Sequence, residues 1–500
     1  MTKIVMIPLD DRPCNYFYPQ ILPKADYEIV LPSKEIMCFH KNEANYDKLV
    51  SWLLDNIIDA NYLVLSMDTL IFGGLVPSRL HHYSLSLLLK RLEVIKKIKE
   101  INKDIKIYGF ELIMRCPGYS SDAEEPTYYK YVGKEIHRLG ELMHLQTLGK
   151  CSELENKEID DLKAFIDKEY IDDYLNRRDI NRSVLMKTLE LVKDGFFDYF
   201  IVPQDDASVY GFTAMDQIKV RSFIKDNSLH LKISMYPAAD DVGVSLISRA
   251  ISDANNYKVK VFVKYSSPKA PFCTPWFEDR MQDETIKYHI LSVGGIRVYS
   301  LEEADIVLCV NMVSKMLHKE DSEYVTVYDI ERNLPEFCNY IKYCKQMNKI
   351  VSVADTAYCN GSDPEFVRLL AKNRLLLNLD TYAGWNTSSN TTGTTLGASV
   401  IYYFGKDEES KRKFLLYRYL EDYAYMVYVR KDIIDNVLPK YNLDQFNLED
   451  KNDLISKMVK EGILKVIAND LPELCPFIDD IDICMPWNRM FECSLKIKFK

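Results

Sequence analysis

The chain has 500 residues, 47% apolar and 28% charged, with a formal net charge of −10. That length exceeds one ordinary hydrophobic core, so two or three domains are expected. The composition is that of a soluble globular protein, the acidic balance without a basic face excludes a nucleic-acid partner, and no apolar run of about 18 residues exists to span a membrane.

The first predicted element is an apolar strand over 3–8 that runs into Asp10-Asp11-Arg12-Pro13. The N-terminus enters this strand at once, without the parts of a signal peptide, so a cytoplasmic location is expected. Arg12 can act as internal counter-ion to the two acids or grip a substrate anion bidentately; a salt-bridged strand–helix junction explains the segment equally well. A strand at 27–31 and a helix over Asn45–Ile58, with Leu49, Trp52, Leu53 and Ile57 on one face, precede a strand at 61–67. That strand exits into Asp68 and a Gly73-Gly74 pair followed by Arg79. The glycines permit unusual dihedrals or close approach of backbone to a ligand. No Gly-Lys-Ser/Thr follows, so this is no phosphate loop. The lysines of 90–103 alternate with Leu92, Ile95 and Ile98, which fits the wet side of an amphipathic helix.

A strand at 105–113 leads into a charged, helix-rich insertion over 119–181, read as a lid over the strand ends or a surface excursion. The strand at 198–203 exits into Gln204-Asp205-Asp206. The strand at 231–236 exits through Pro237-Ala238-Ala239 into Asp240-Asp241, ahead of a helix over 242–254. Strands follow at 258–265, 304–311, 349–354 and 375–380. The third of these runs into Asp355 and Asn360, with Asp363-Pro364-Glu365 marking a helix start in which Asp363 is the cap. After the last comes Gly384-Trp385-Asn386-Thr387-Ser388-Ser389-Asn390, which places a Trp among small hydrogen-bonding residues. It is either a platform for a polyhydroxylated ligand or a capped, Trp-anchored turn into a helix over 395–404. From 402 onward the pattern is mainly helical and ends in a strand-like stretch over 494–499.

Alternating strands and helices, several strands being apolar throughout, define an α/β protein of tandem doubly wound, mostly parallel sheets with a helical C-terminal extension. The expected domains are 1–252, carrying the insertion 119–181, then 257–400, then a mainly helical 401–500. The competing architecture is a TIM-barrel-like core over roughly 1–385 with extra strands at one edge. In either case ligands bind at strand carboxyl ends. Acids recur at five such exits although a buried strand needs none, which points to an acidic site. A helix cap is the simpler explanation of any one of them.

Two neighbouring carboxylates couple, and one is pushed to keep its proton near neutrality. That supplies the acid and the base or stabiliser that glycosyl transfer to water requires. No histidine lies in the acidic segments, which argues against a His-rich zinc site and a Ser-His-Asp triad. No GxGxxG follows the first strand. The twelve cysteines lack CxxC spacing and read as reduced thiols.

The segments Pro8–Pro13, Ser66–Arg79, Tyr236–Asp241, Asp355–Gly361, Gly384–Gly393 and Pro486–Glu492 together resemble a bacterial family catalogued as domain of unknown function 4127, over nearly the whole chain. The resemblance implies no established reaction. Where that family's pattern leads one to expect Pro-Gly-Ala-Asp-Glu, this chain has Pro237-Ala238-Ala239-Asp240-Asp241. A fold-level resemblance links Asp205-Asp206 to hexosaminidases that use substrate assistance, in which one acid orients the acetamido group and its neighbour protonates the leaving oxygen. By that analogy Asp205 orients and Asp206 donates.

The resulting expectation is a glycoside hydrolase acting on a small sugar or glycan fragment. Asp205, Asp206, Asp240 and Asp241 form the catalytic set. Asp10, Asp11, Arg12, Asp68, Arg79, Asp355, Asn360, Trp385, Asn386 and Asn390 contact substrate. No cofactor is required in this reading. The alternatives are an Mg- or Mn-dependent hydrolase or sugar isomerase with Asp10, Asp68 and Asp205 as oxygen ligands, and a non-catalytic carbohydrate-binding protein. Whether the chain forms a homodimer stays open.

Overall fold

The computed structural model describes residues 1–500. Thirteen strands form three sheets: β1 (Thr2–Ile7), β2 (Tyr27–Val30), β3 (Tyr62–Ser66), β4 (Lys106–Phe110), β5 (Tyr199–Gln204), β6 (Ile233–Pro237), β7 (Lys260–Tyr265), β8 (Ile296–Arg297), β9 (Ile306–Asn311), β10 (Ile350–Asp355), β11 (Thr381–Ala383), β12 (Ile478–Cys484) and β13 (Ser494–Phe499). The strands that read as apolar throughout, such as β3, β5 and β9, are buried along their whole length. Burial on both faces is what helices on either side of a parallel sheet impose.

The first sheet runs β2-β1-β3-β4-β5-β6 and the second β8-β7-β9-β10-β11; β12 and β13 form an antiparallel ribbon. The protein is α/β with open parallel sheets and a helical C-terminal region, and neither sheet closes into a barrel, which sets the TIM-barrel alternative aside. The two large sheets share one connectivity. In each, the opening strand lies inside, the next lies on its outer side, and the chain then crosses to build the rest. Each sheet therefore has one crevice where the winding reverses, between β1 and β3 and between β7 and β9. The carboxyl ends at such a crevice are where doubly wound proteins bind ligands.

The chain groups into two compact units that are discontinuous in sequence. One comprises Met1–Asp11, Glu28–Gly243 and Phe277–Asp279; the other comprises Arg12–Tyr27, Val244–Trp276 and Arg280–Lys500. In the first, the segment after β4 forms helices Tyr129–Thr147, Glu153–Phe165 and Lys168–Lys193, the second opened by a Ser152/Glu155 capping box. Tyr129, Ile136, Tyr174 and Phe212 pack a small core beneath it. In the second, Val351, Val353, Phe337, Phe366, Tyr419 and Leu420 share a core that extends to Ile481 and Ile497 of the C-terminal ribbon.

Two sequence expectations move. The strand placed at 375–380 is a turn, and the paired strand is β11. Leu375, Leu376 and Leu379 are buried, but their backbone closes on itself, with the amides of Asn378 and Leu379 donating to the Leu375 carbonyl. A short apolar run shows burial and not strand geometry. The last helix of that region is Ser388–Gly405, so Asn390 lies in its first turn. The residues of the C-terminal strand pair with β12, a strand the alternation of acids and isoleucines had left unassigned.

Candidate functional site

The first unit holds four of the acidic exits. Its winding crevice is sewn by Thr69, whose hydroxyl lies 2.8 Å from the Pro8 carbonyl and 2.6 Å from that of Leu9. Beside it Asp68 opens a π-helical turn, Asp68–Phe72. Asp68 is buried and accepts the Leu112 amide at 3.0 Å; burial pushes its carboxyl up to about 7. Single π-turns tend to mark functional positions. Gly73 and Gly74 follow with φ of 91° and 141°, and a Cβ on either would strike Glu43 or Cys38. The close approach these glycines allow is thus to the chain's own 38–44 loop.

Arg79, buried on the short helix Leu75–Leu80, begins a ladder of charges. Its Nη2 meets Asp205 at 2.6 Å and its Nη1 meets Glu124 at 2.8 Å. Arg115, five residues past the end of β4, continues it. Its Nη2 reaches Glu124 at 3.0 Å and its Nη1 reaches Asp206 at 3.2 Å. Glu125 lies 2.8 Å from Arg115 Nε and 3.6 Å from Arg79. The order is Asp205, Arg79, Glu124, Arg115, Asp206. Two guanidiniums thus face four carboxylates, a local excess of negative charge.

That excess falls on Asp206. Burial first, then the charge of Asp205, raise its carboxyl to about 6 against the opposing pull of Arg115. Asp206 adopts φ of +45°, a conformation that costs an L-residue about 1–2 kcal/mol. Neighbouring acids are thereby each delivered to a different arginine. Glu111, also buried in this unit, is raised well above the usual carboxylate value by burial first and then by the charge of Asp68. Tyr119, which is 43% exposed, stands beside Arg115 and Asp206. Asp240 and Asp241 at the β6 exit, and Asp10 and Asp11 at the β1 exit, are all buried in this unit. The charges of Asp10 and Asp11 add to burial in raising the Cys38 thiol.

Arg12, Asp355, Asn360, Trp385, Asn386 and Asn390 belong to the second unit. Arg12 lies 5.0 Å from the Trp487 ring, which Arg489 also faces at 4.6 Å. At the β10 exit buried Asp355 accepts from Asn311 Nδ2 (2.9 Å), the Asp363 amide (2.8 Å) and the Tyr382 hydroxyl (2.8 Å). Burial, then the charge of Asp363, raise it to about 7. Asp363 caps the helix Pro364–Lys372 and pairs with Arg332 at 2.5 Å. The Asn360 amide donates to the Asn386 carbonyl at 2.9 Å, and both residues take positive φ.

Trp385 is only 6% exposed and lies edge-on to Tyr18 at 5.2 Å. The Thr391 hydroxyl donates to its carbonyl at 2.5 Å. Its loop is held from below by Asp422, which accepts the Gly384 amide at 2.8 Å. Asp422 sits on an eleven-residue π-helical stretch, Tyr419–Val429, opposite Arg418 at 3.3 Å. Burial raises its carboxyl to about 7.

Sequence reasoning did not single out Arg115, Glu124, Glu125, Glu111, Asn311, Arg332, Arg418 or Asp422. Arg115 and the Glu124-Glu125 doublet follow a strand exit as the flagged acids do, so the same rule could have found them. Asp422 lies inside a long helical region and carries no local signal. No group of three His, Cys, Asp or Glu side chains that could hold a metal ion is found.

Two open parallel sheets, with buried acids at their carboxyl ends, define an α/β protein of flavodoxin-like winding. The chain belongs to the family described as protein of unknown function DUF4127, whose profile matches residues 4–496. No curated protein and no solved structure matches it. No helix is long and apolar enough to cross a membrane.

Proposed function

We propose that the protein is a glycosidase-type hydrolase acting on a small sugar or glycan fragment, with Asp206 as general acid and Asp205 as its charged partner. One observation carries the reading. Adjacent carboxylates occupy unlike environments, Asp205 against buried Arg79 at 2.6 Å and Asp206 raised to about 6. Pairs of titratable groups driven apart by their surroundings divide acid and base roles between them.

In this mechanism Asp206 gives its proton to the leaving oxygen as the glycosidic bond breaks, a water adds to the anomeric carbon, and the proton that water loses returns to Asp206. Asp205, held against Arg79, either stabilises the positive charge that develops on the ring or orients a substrate group. Glu124, held by both arginines, fixes the spacing of the pair. Tyr119 is the exposed aromatic beside Asp206 and supplies an apolar face for a sugar ring, a task for which Trp385 is too deeply buried.

The test is a screen of aryl glycosides, N-acetylhexosaminides included, against the wild-type chain and Asp206→Asn. Turnover lost by about 10²–10⁴-fold in the variant is expected for a removed general acid. Absence of turnover on every substrate, or an unchanged rate in Asp206→Asn, refutes the proposal.

A further inference from the structure

The winding crevice of the second sheet, between β7 and β9, carries a cavity of its own. It measures about 380 Å³ and is lined by the end of β7 and the turn after it, together with the segment from Ile330 to Glu336. That volume lies at the small end of the range for small-molecule sites. The crevice is sewn much as its counterpart is in the first unit. The Ser266 hydroxyl lies 3.0 Å from the Met312 carbonyl and 3.0 Å from the Met312 amide, joining the exits of β7 and β9. Topology and an actual hollow therefore coincide, in a unit that does not contain the Asp205–Asp206 pair.

The lining states what would fit. Pro268, Pro271 and Ile330 form an apolar wall, and Ile330 (70% exposed) and Phe272 (69%), next to Pro271, leave large apolar surface open to water at the rim. Lys264 pairs with Glu336 at 3.0 Å, and Lys269, in the turn after β7, pairs with Glu331 at 3.3 Å. Both pairs are partly solvated and therefore weak, so their partners can be exchanged, although Glu331 also accepts the Ser314 hydroxyl at 2.5 Å. Arg332 is already committed to Asn311 and Asp363, so the lining cation able to exchange its partner is Lys264, held by half-exposed Glu336 and 4.8 Å from the Tyr340 ring. A polyphosphate would meet Glu331 and Glu336. A neutral sugar would leave both signs of charge unused and face an apolar wall.

We infer that this cavity is a binding site for a small zwitterion with an apolar side chain, a free α-amino acid. Its carboxylate takes Lys264, its ammonium takes Glu331, and its side chain lies against Pro268, Pro271 and Ile330. The site is separate from the proposed hydrolytic pair, so either can fail without the other.

Isothermal titration of the full chain with L-isoleucine, L-phenylalanine and L-proline tests it. N-acetyl-L-isoleucine, L-isoleucinamide, glucose and inorganic phosphate serve as comparison ligands. Saturable binding of at least one free amino acid is expected. Blocking either charge should weaken it about tenfold or more, as loss of one charge-assisted hydrogen bond does. Lys264→Met and Glu331→Gln, both partly exposed positions, should weaken it by a similar factor, with unchanged circular dichroism showing that they fold. No binding of any free amino acid at about 10 mM, a concentration well above the weakest specific affinities, overturns the inference. So does equal binding of the blocked derivatives, glucose or phosphate, and so does full affinity in both variants.

Discussion

Replacing Arg332 by methionine should strongly destabilise the second unit. The guanidinium is buried and donates from Nε to the Tyr328 carbonyl at 2.9 Å and from Nη1 to Asn311 Oδ1 at 3.0 Å and Asp363 Oδ2 at 2.5 Å. Both members of the Arg332–Asp363 pair are almost wholly shielded from water. Methionine fills much of the space but leaves the Asp363 carboxylate buried with no cation, and it unpairs one oxygen of Asn311. Removing one partner of a buried pair costs about 3–5 kcal/mol. For a unit of this size, about 2–4 °C per kcal/mol, the melting transition should fall by roughly 6–20 °C. Asp363→Asn in the same background removes the stranded charge and keeps a side chain able to cap the helix, so the double variant should regain most of the loss. Calorimetry of the wild type, both single variants and the double gives the coupling directly. A loss below about 1 kcal/mol in Arg332→Met, less than an ordinary buried change, or a double variant no more stable than Arg332→Met, would refute the reasoning.

Hydrolysis by the wild type should fall as pH rises through about 6, where Asp206 loses its proton, and a rate that keeps rising beyond pH 8 would contradict its role as acid. Asp68 has a carboxyl raised from about 3.9 in the unfolded chain to about 7 in the fold. Its contribution is therefore full below about pH 4 and lost as pH rises through 7, a span of about 4 kcal/mol. Asp68→Asn should flatten the fall in stability between pH 5 and 8 seen by urea unfolding, and an unchanged slope would count against a buried, proton-holding Asp68. Gly73→Ala should destabilise by about 2 kcal/mol or more, since its φ of 91° is unfavourable for alanine and the new Cβ would lie 2.6 Å from Glu43 Cβ; a melting temperature within a degree of wild type would show that the 38–44 loop yields freely.

Much of the architecture is written in local pattern. The apolar runs at β1, β3, β5, β6, β9 and β10 mark buried parallel strands because two-sided burial leaves no room for alternation. The Asp363-Pro364-Glu365 start is equally legible, since a cap depends only on residues within one turn. The error at 375–380 has the same origin: three buried leucines look alike in a strand or a tight turn. The site was read only in part. Asp205, Asp206 and Arg79 stand out as residues at strand exits, whereas Arg418 and Asp422 lie in an unremarkable helical stretch, and nothing nearby in sequence reveals that Asp422 holds the Gly384 amide.

Sequence alone determined the α/β class, the parallel strands, their acidic exits and the family, because each depends on side chains close together along the chain. Only the tertiary structure decided that Arg79 takes Asp205 while Arg115 takes Asp206, that Trp385 is buried, and that residues 12–27 pack with the second unit. Those outcomes depend on which distant groups share a low-dielectric interior. There the partner a carboxylate meets fixes its charge, and no spacing in the chain encodes that partner.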